Sequence, residues 1–157
     1  MNQQEQDHNG LNAILSALIQ KSGALTTMLV TKEGVSIDEA GDTSYLNTTA
    51  MAALVAGMFS ATREVARLVG EHQFSILLQQ GETRHIHISL IQDSKMMLII
   101  FEDYQRIGLV RHEARKAAEL ISRALERADR PETTEEIATP QFKEYALNLI
   151  DRIFETK

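Results

Sequence analysis

Residues 50–70 read AMAALVAGMFSATREVARLVG, and two rows of side chains within them decide how the chain is put together. Met51, Leu54, Val55, Met58, Val65, Leu68 and Val69 recur at intervals of three and four. That spacing places them on one side of a long helix and predicts that this side lies in a core. Beside them run Ala50, Ala53, Gly57, Ser60 and Ala61, all small, so a second surface could approach the backbone closely. Gly57 costs about 1 kcal/mol relative to alanine inside a helix unless something uses its missing side chain. Two readings of the small row stand side by side: a docking face for a partner, or tight packing of the helix on its own sheet.

Working outward, Asn47 or Thr48 can cap this helix by accepting a hydrogen bond from its first turn. Upstream, Leu11, Ile14, Leu15, Leu18 and Ile19 make a helical stripe that Gly23 ends, and residues 1–10 read as a frayed polar leader. Residues 25–31 and 35–40 form a hairpin across Lys32, Glu33 and Gly34. Downstream the period drops to two, and residues 74–79, 83–91 and 95–101 read as a meander of three strands. Residues 96–101, MMLIIF, are apolar without alternation, as suits a central strand covered on both faces by helices. Val110, Ala114, Ala117, Ala118, Ile121 and Leu125 then build a last core helix, with Arg111, Arg115, Lys116, Glu119 and Arg123 on its other side. The domain spans residues 11–128. Residues 129–140 form an acidic linker with two prolines, and residues 141–157 a short amphipathic helix with the stripe Phe142, Leu149, Ile150 and Ile153.

Composition narrows the function. A chain of 157 residues, 43% hydrophobic, can bury one core. No stretch reaches the roughly 20 apolar residues of a membrane span, and the polar start is unlike a signal peptide, so a cytoplasmic protein is expected. Zero cysteines remove disulfides and thiolate chemistry. A net charge of -6 argues against a nucleic-acid partner, because neutralising phosphates requires a basic surface. His85 and His87 fall on one strand face, but no further ligands accompany them, so they read as a solvent-facing surface and no metal is expected. There is no phosphate-cradling glycine loop and no recognisable nucleophile context, so neither catalytic residues nor a cofactor are expected.

The order helix, two strands, helix, three strands, helix, together with the strings VAGMFSATREVARLVGE and FEDYQRIGLVRHEARKAAE, resembles the Roadblock and dynein-light-chain superfamily, and within it the bacterial MglB proteins that regulate the Ras-like GTPase MglA. The resemblance covers residues 11–128, and the added C-terminal helix is also MglB-like. It implies an α/β fold: a five-stranded antiparallel sheet sandwiched between helices in the order αββαβββα. It further implies a homodimer whose sheets join edge to edge, with the two long helices side by side as the GTPase-docking face. On this chain that face consists of Ala53, Gly57, Ser60, Ala61, Arg63, Glu64 and Arg67, and the dimer edge of Phe74, Ile76 and Leu78. The edge strand carries no lysine or proline to block pairing.

The implied function is activation of a small Ras-like GTPase in cell polarity or motility. A non-activating scaffold of the same fold and a small-ligand sensor are the alternatives. Arg63 and Arg67 are the available candidates for an inserted arginine, an effect worth about 10³ to 10⁵ in rate elsewhere. MglB-like regulators are thought to act instead by ordering the GTPase's own residues, so Arg63 is assigned a contact role.

Overall fold

The Asn2 carbonyl accepts the N–H groups of Glu5 and Gln6 at 2.9 and 3.1 Å, and the Glu5 carboxylate accepts the Asn2 N–H at 3.2 Å. Donors at a helix start that would otherwise lack partners are thereby satisfied, and α1 runs Gln3–Ser22 in the computed structural model, which describes residues 2–129. Residues 3–10 are therefore helical and not part of a frayed leader. Beyond the cap, His8 and Asn12 tie this part of the helix to the rest. Nδ1 of His8 lies 3.4 Å from the Asp38 carboxylate, and Nδ2 of Asn12 donates to Asp38 at 3.0 Å and to the Glu39 carbonyl at 3.1 Å. Gly23 ends the helix in the left-handed region at φ 73°, where a side chain would be strained.

The remaining elements follow as β1 Thr26–Thr31, β2 Ser36–Gly41, α2 Thr48–Leu68, β3 Ile76–Gln80, β4 His85–Ile91, β5 Lys95–Phe101, a single 3-10 turn at Tyr104–Arg106, and α3 Ile107–Ala128. All neighbouring strands pair antiparallel in the order β2-β1-β5-β4-β3. This is the five-stranded architecture implied by the resemblance. The unbroken apolar run does form the central strand: every residue of β5 after Lys95 is buried. The turn from β4 to β5 places Gln92 and Asp93 at φ 54° and 57°. That conformation is uncommon without glycine, and side chains hold it here. Gln92 Nε2 donates to the Ser122 carbonyl at 3.0 Å, and Asp93 accepts from Gln73 Nε2 at 2.6 Å.

The chain divides into two units, Met1–Ala124 and Leu125–Lys157. Of the second, only the end of α3 and Asp129 are described, so most of the expected linker and the stripe Phe142, Leu149, Ile150 and Ile153 lie outside the described residues.

Alternation along the strands sorts the core into two layers. Met28, Val30, Ile88, Met96, Leu98 and Ile100 meet Ala52 and Val55 of α2 on one face. On the other face Leu15 of α1 accepts a hydrogen bond at its carbonyl from Thr27 Oγ1, and α3 buries Val110, Ala114, Ala117 and Ile121. Two expectations fail here. First, the large apolar row of α2 splits: Val55 is buried and Met51 and Met58 pack partly buried against the core, but Leu54 is 67% and Leu68 87% exposed, and Val65 and Val69 are exposed as well. The buried stripe is Ala52, Val55 and Ala66, with half-buried Phe59 and Thr62 between them. It too is spaced at three and four residues and shares Val55 with the large row, so periodicity alone fits both, and weighting by size placed Leu54, Val65, Leu68 and Val69 inside instead of Ala52 and Ala66. Second, His85 and His87 do not face solvent. Both are buried, His87 to 1% exposure: His87 lies beside α3, and the His85 ring packs against Phe101 and Tyr104.

Candidate partner-docking surface

α2 begins where Asn47 Oδ1 accepts the Ala50 N–H at 3.0 Å, and it ends with Gly70 at φ 81°. Between these stops, rotation by about 100° per residue turns the buried stripe towards the sheet and everything else outward. Ala53, Gly57, Ser60, Ala61, Arg63, Glu64 and Arg67 are all exposed. A Cβ at Gly57 would meet nothing within 4 Å. Of the two readings of the small row, packing of Gly57 on the chain's own sheet is thereby removed.

Leu54, Val65 and Leu68 stand on the exposed side of the same helix, a contribution the sequence reading missed by burying them. The outer side of α2 thus combines small residues, which admit a close approach, with large apolar residues that water solvates poorly. Phe59 and Thr62 at the intervening positions of the buried stripe are the signal that would have separated the two rows.

The charged residues have different roles. Arg67 Nη1 lies 3.2 Å from Glu64 Oε1 one turn away, so these two charges are engaged with each other on the surface. Arg63 instead borders a cavity of about 310 Å³ beside Ser60, between the β1–β2 turn at Lys32 and Glu33, α2, and Asp93 of the β4–β5 turn.

β3 lies at the edge of the sheet and pairs with β4 alone. Ile76 is 43% and Leu78 37% exposed. Phe74 falls just outside the strand and is half-buried, although the Ser75 carbonyl still accepts the Leu90 N–H at 2.9 Å. Gln79 Nε2 donates to Met58 Sδ at 3.4 Å, which joins the edge strand to α2. Among the described residues no group of three or more His, Asp or Glu could hold a metal ion, and no helix is long and apolar enough to cross a membrane.

Comparison with known proteins agrees with this architecture. The chain is similar to MglB of Myxococcus xanthus, at 29% identity over 74% of this chain and 95% of that one, with a TM-score of 0.72. It shares its fold with the gliding protein MglB of Thermus thermophilus, at 21% identity over 81% and 94% of the two chains and a TM-score of 0.71. A Roadblock/LC7 domain from Streptomyces avermitilis matches at 15% identity over 73% and 97%, with a TM-score of 0.65. No curated protein matches the chain significantly. The Roadblock/LC7 domain profile matches residues 11–101, more than half of the sequence, and the chain belongs to the Roadblock/LC7 domain family.

Proposed function

We propose that this Roadblock-family protein is a homodimeric regulator that stimulates GTP hydrolysis by a small, MglA-like Ras GTPase in cell polarity or motility. The observation that carries the reading is the outer side of α2. Gly57, Ser60 and Ala61 leave the backbone open to a close approach, Ala53 is exposed beside the turn at Gly34, and exposed Leu54, Val65 and Leu68 flank them. A lone copy in water gains nothing from such a surface, whereas an interface buries it. The unblocked edge of β3 supplies a way to pair two copies, so that two α2 helices could share one partner. Arg67, paired with Glu64, is poorly placed to reach a nucleotide. Activation would then come from holding the GTPase's own residues in place, with Arg63 as a contact.

Single-turnover GTP hydrolysis by an MglA-like GTPase from the same organism, with and without this protein, tests the reading. Faster hydrolysis supports it. Binding without acceleration would make the protein a scaffold, and the absence of both would remove the GTPase from the account.

A further inference from the structure

On the face of β4 opposite α2, a chamber of about 170 Å³ opens between β4, the start of the edge strand at Ser75 and Ile76, and the first turns of α3. It is smaller than the roughly 300 Å³ at which pockets for drug-sized ligands begin. Its floor carries an unusual set of polar atoms. Both ring nitrogens of His87 and the Oγ of Ser89 are buried, and none has a hydrogen-bond partner among the described residues. Buried polar groups are nearly always satisfied, so three orphaned atoms on two residues that line one cavity call for a water or a ligand that supplies their partners.

The charge of the walls says which kind. Arg111 and Arg115 line the chamber from α3, and among the described residues no Asp or Glu lines it and neither arginine makes an ion pair. Four residues apart on a helix, they stand one above the other, an arrangement that repels unless an anion lies between them. Ala114 and Ala118 leave room between the guanidinium groups and the strand. We infer that this chamber binds a small oxyanion, a phosphate or a short carboxylate, with the two guanidinium groups supplying charge and the imidazole and the serine hydroxyl supplying directed hydrogen bonds. Burial and the Arg111 guanidinium hold His87 below the ordinary histidine value, so its ring is neutral and offers one donor and one acceptor. A cation is disfavoured by the same two arginines.

This inference does not depend on where a GTPase docks, because the chamber and the outer face of α2 lie on opposite faces of the sheet; it shares with that reading only the edge strand, through Ser75 and Ile76. The test uses the full chain. The ring signals of His87 are followed by NMR, and thermal melting in parallel, while inorganic phosphate is added in one arm and acetate in the other, each against chloride at equal ionic strength. A saturable shift in either arm supports the site, and the arm that responds more strongly tells phosphate from carboxylate chemistry.

Because Arg111 and Arg115 are exposed, the double variant Arg111→Gln/Arg115→Gln should fold as the parent does. It should weaken binding by about tenfold or more for each guanidinium removed from the anion. Ser89→Ala, which keeps both arginines, should weaken it by roughly three- to tenfold, the worth of one neutral hydrogen bond. If neither anion moves the His87 signals beyond the chloride control, or if the folded double variant binds as well as the parent, the inference is overturned.

Discussion

The turn glycine of the first hairpin sits directly on the backbone of the central helix: a Cβ added to Gly34 would stand 3.1 Å from Cα of Ala53. Gly34 also adopts φ 90°, a conformation that side chains rarely take. This contact fixes the separation between the β1–β2 turn and α2, and so the shape of the cavity that Ser60 and Arg63 border. Gly57, one turn further along the same helix, has nothing within 4 Å.

The two glycines should therefore respond in opposite directions to the same substitution. Gly34→Ala should destabilise the protein by more than about 1 kcal/mol, from a strained backbone and a close contact. Gly57→Ala should stabilise it by roughly 0.5–1 kcal/mol through helix propensity. Denaturant unfolding of the two variants checks both signs. A stabilising Gly34→Ala would show that the turn does not press on α2.

His87 should make stability depend on pH. In the folded protein, burial and the neighbouring Arg111 hold its pKa below the 6.5 it has when unperturbed. As pH falls below about 6.5, the unfolded chain takes up a proton that the folded chain refuses, so stability falls, by at most about 1.4 kcal/mol per pH unit from this group. In phosphate-free buffer, the melting temperature should drop between pH about 7.5 and 5.5, and less so in His87→Gln. Equal slopes for the two proteins would mean that the imidazole is not held neutral.

How far the sequence could be read is clearest on α2 and β4. The ends of α2 were visible because they rest on local chemistry, the Asn47 cap and the left-handed Gly70. The central place of β5 was visible because a strand buried on both faces needs apolar residues at every position. The buried side of α2 was not, since two stripes at helical spacing coexist there and only the sheet beneath decides between Leu54, Val65, Leu68 and Ala52, Val55, Ala66. The burial of His85 and His87 was equally hidden. Their strand alternates as a half-exposed one should, and what covers them, Tyr104 at His85 and α3 at His87, comes only later in the chain. Residues 2–10 misled for a different reason: their helix rests on Asn2 and on bonds to Asp38, neither of which shows in hydrophobic spacing.

Self-association should depend on the edge strand. If β3 pairs with β3 of a second copy, light scattering at micromolar concentration should give about twice the 17.6 kDa of one chain. Lysine at Ile76 and Leu78 together, two exposed edge positions, should return the mass to that of one chain with an unchanged circular dichroism spectrum. A dimer that survived both lysines would have to be built on another surface.

The central claim is that the outer side of α2 receives the GTPase, and Ser60→Arg probes it most directly. Ser60 is exposed, so the new side chain should leave fold and dimer intact while obstructing a close-packed partner and leaving a charge unpaired in the interface. The decisive measurement is the single-turnover rate of GTP hydrolysis by the MglA-like GTPase with parent protein and with Ser60→Arg, matched by circular dichroism and by mass. Acceleration by the parent is expected, with a rate near the unstimulated one for the variant. Equal acceleration by a folded, dimeric Ser60→Arg protein would contradict the claim.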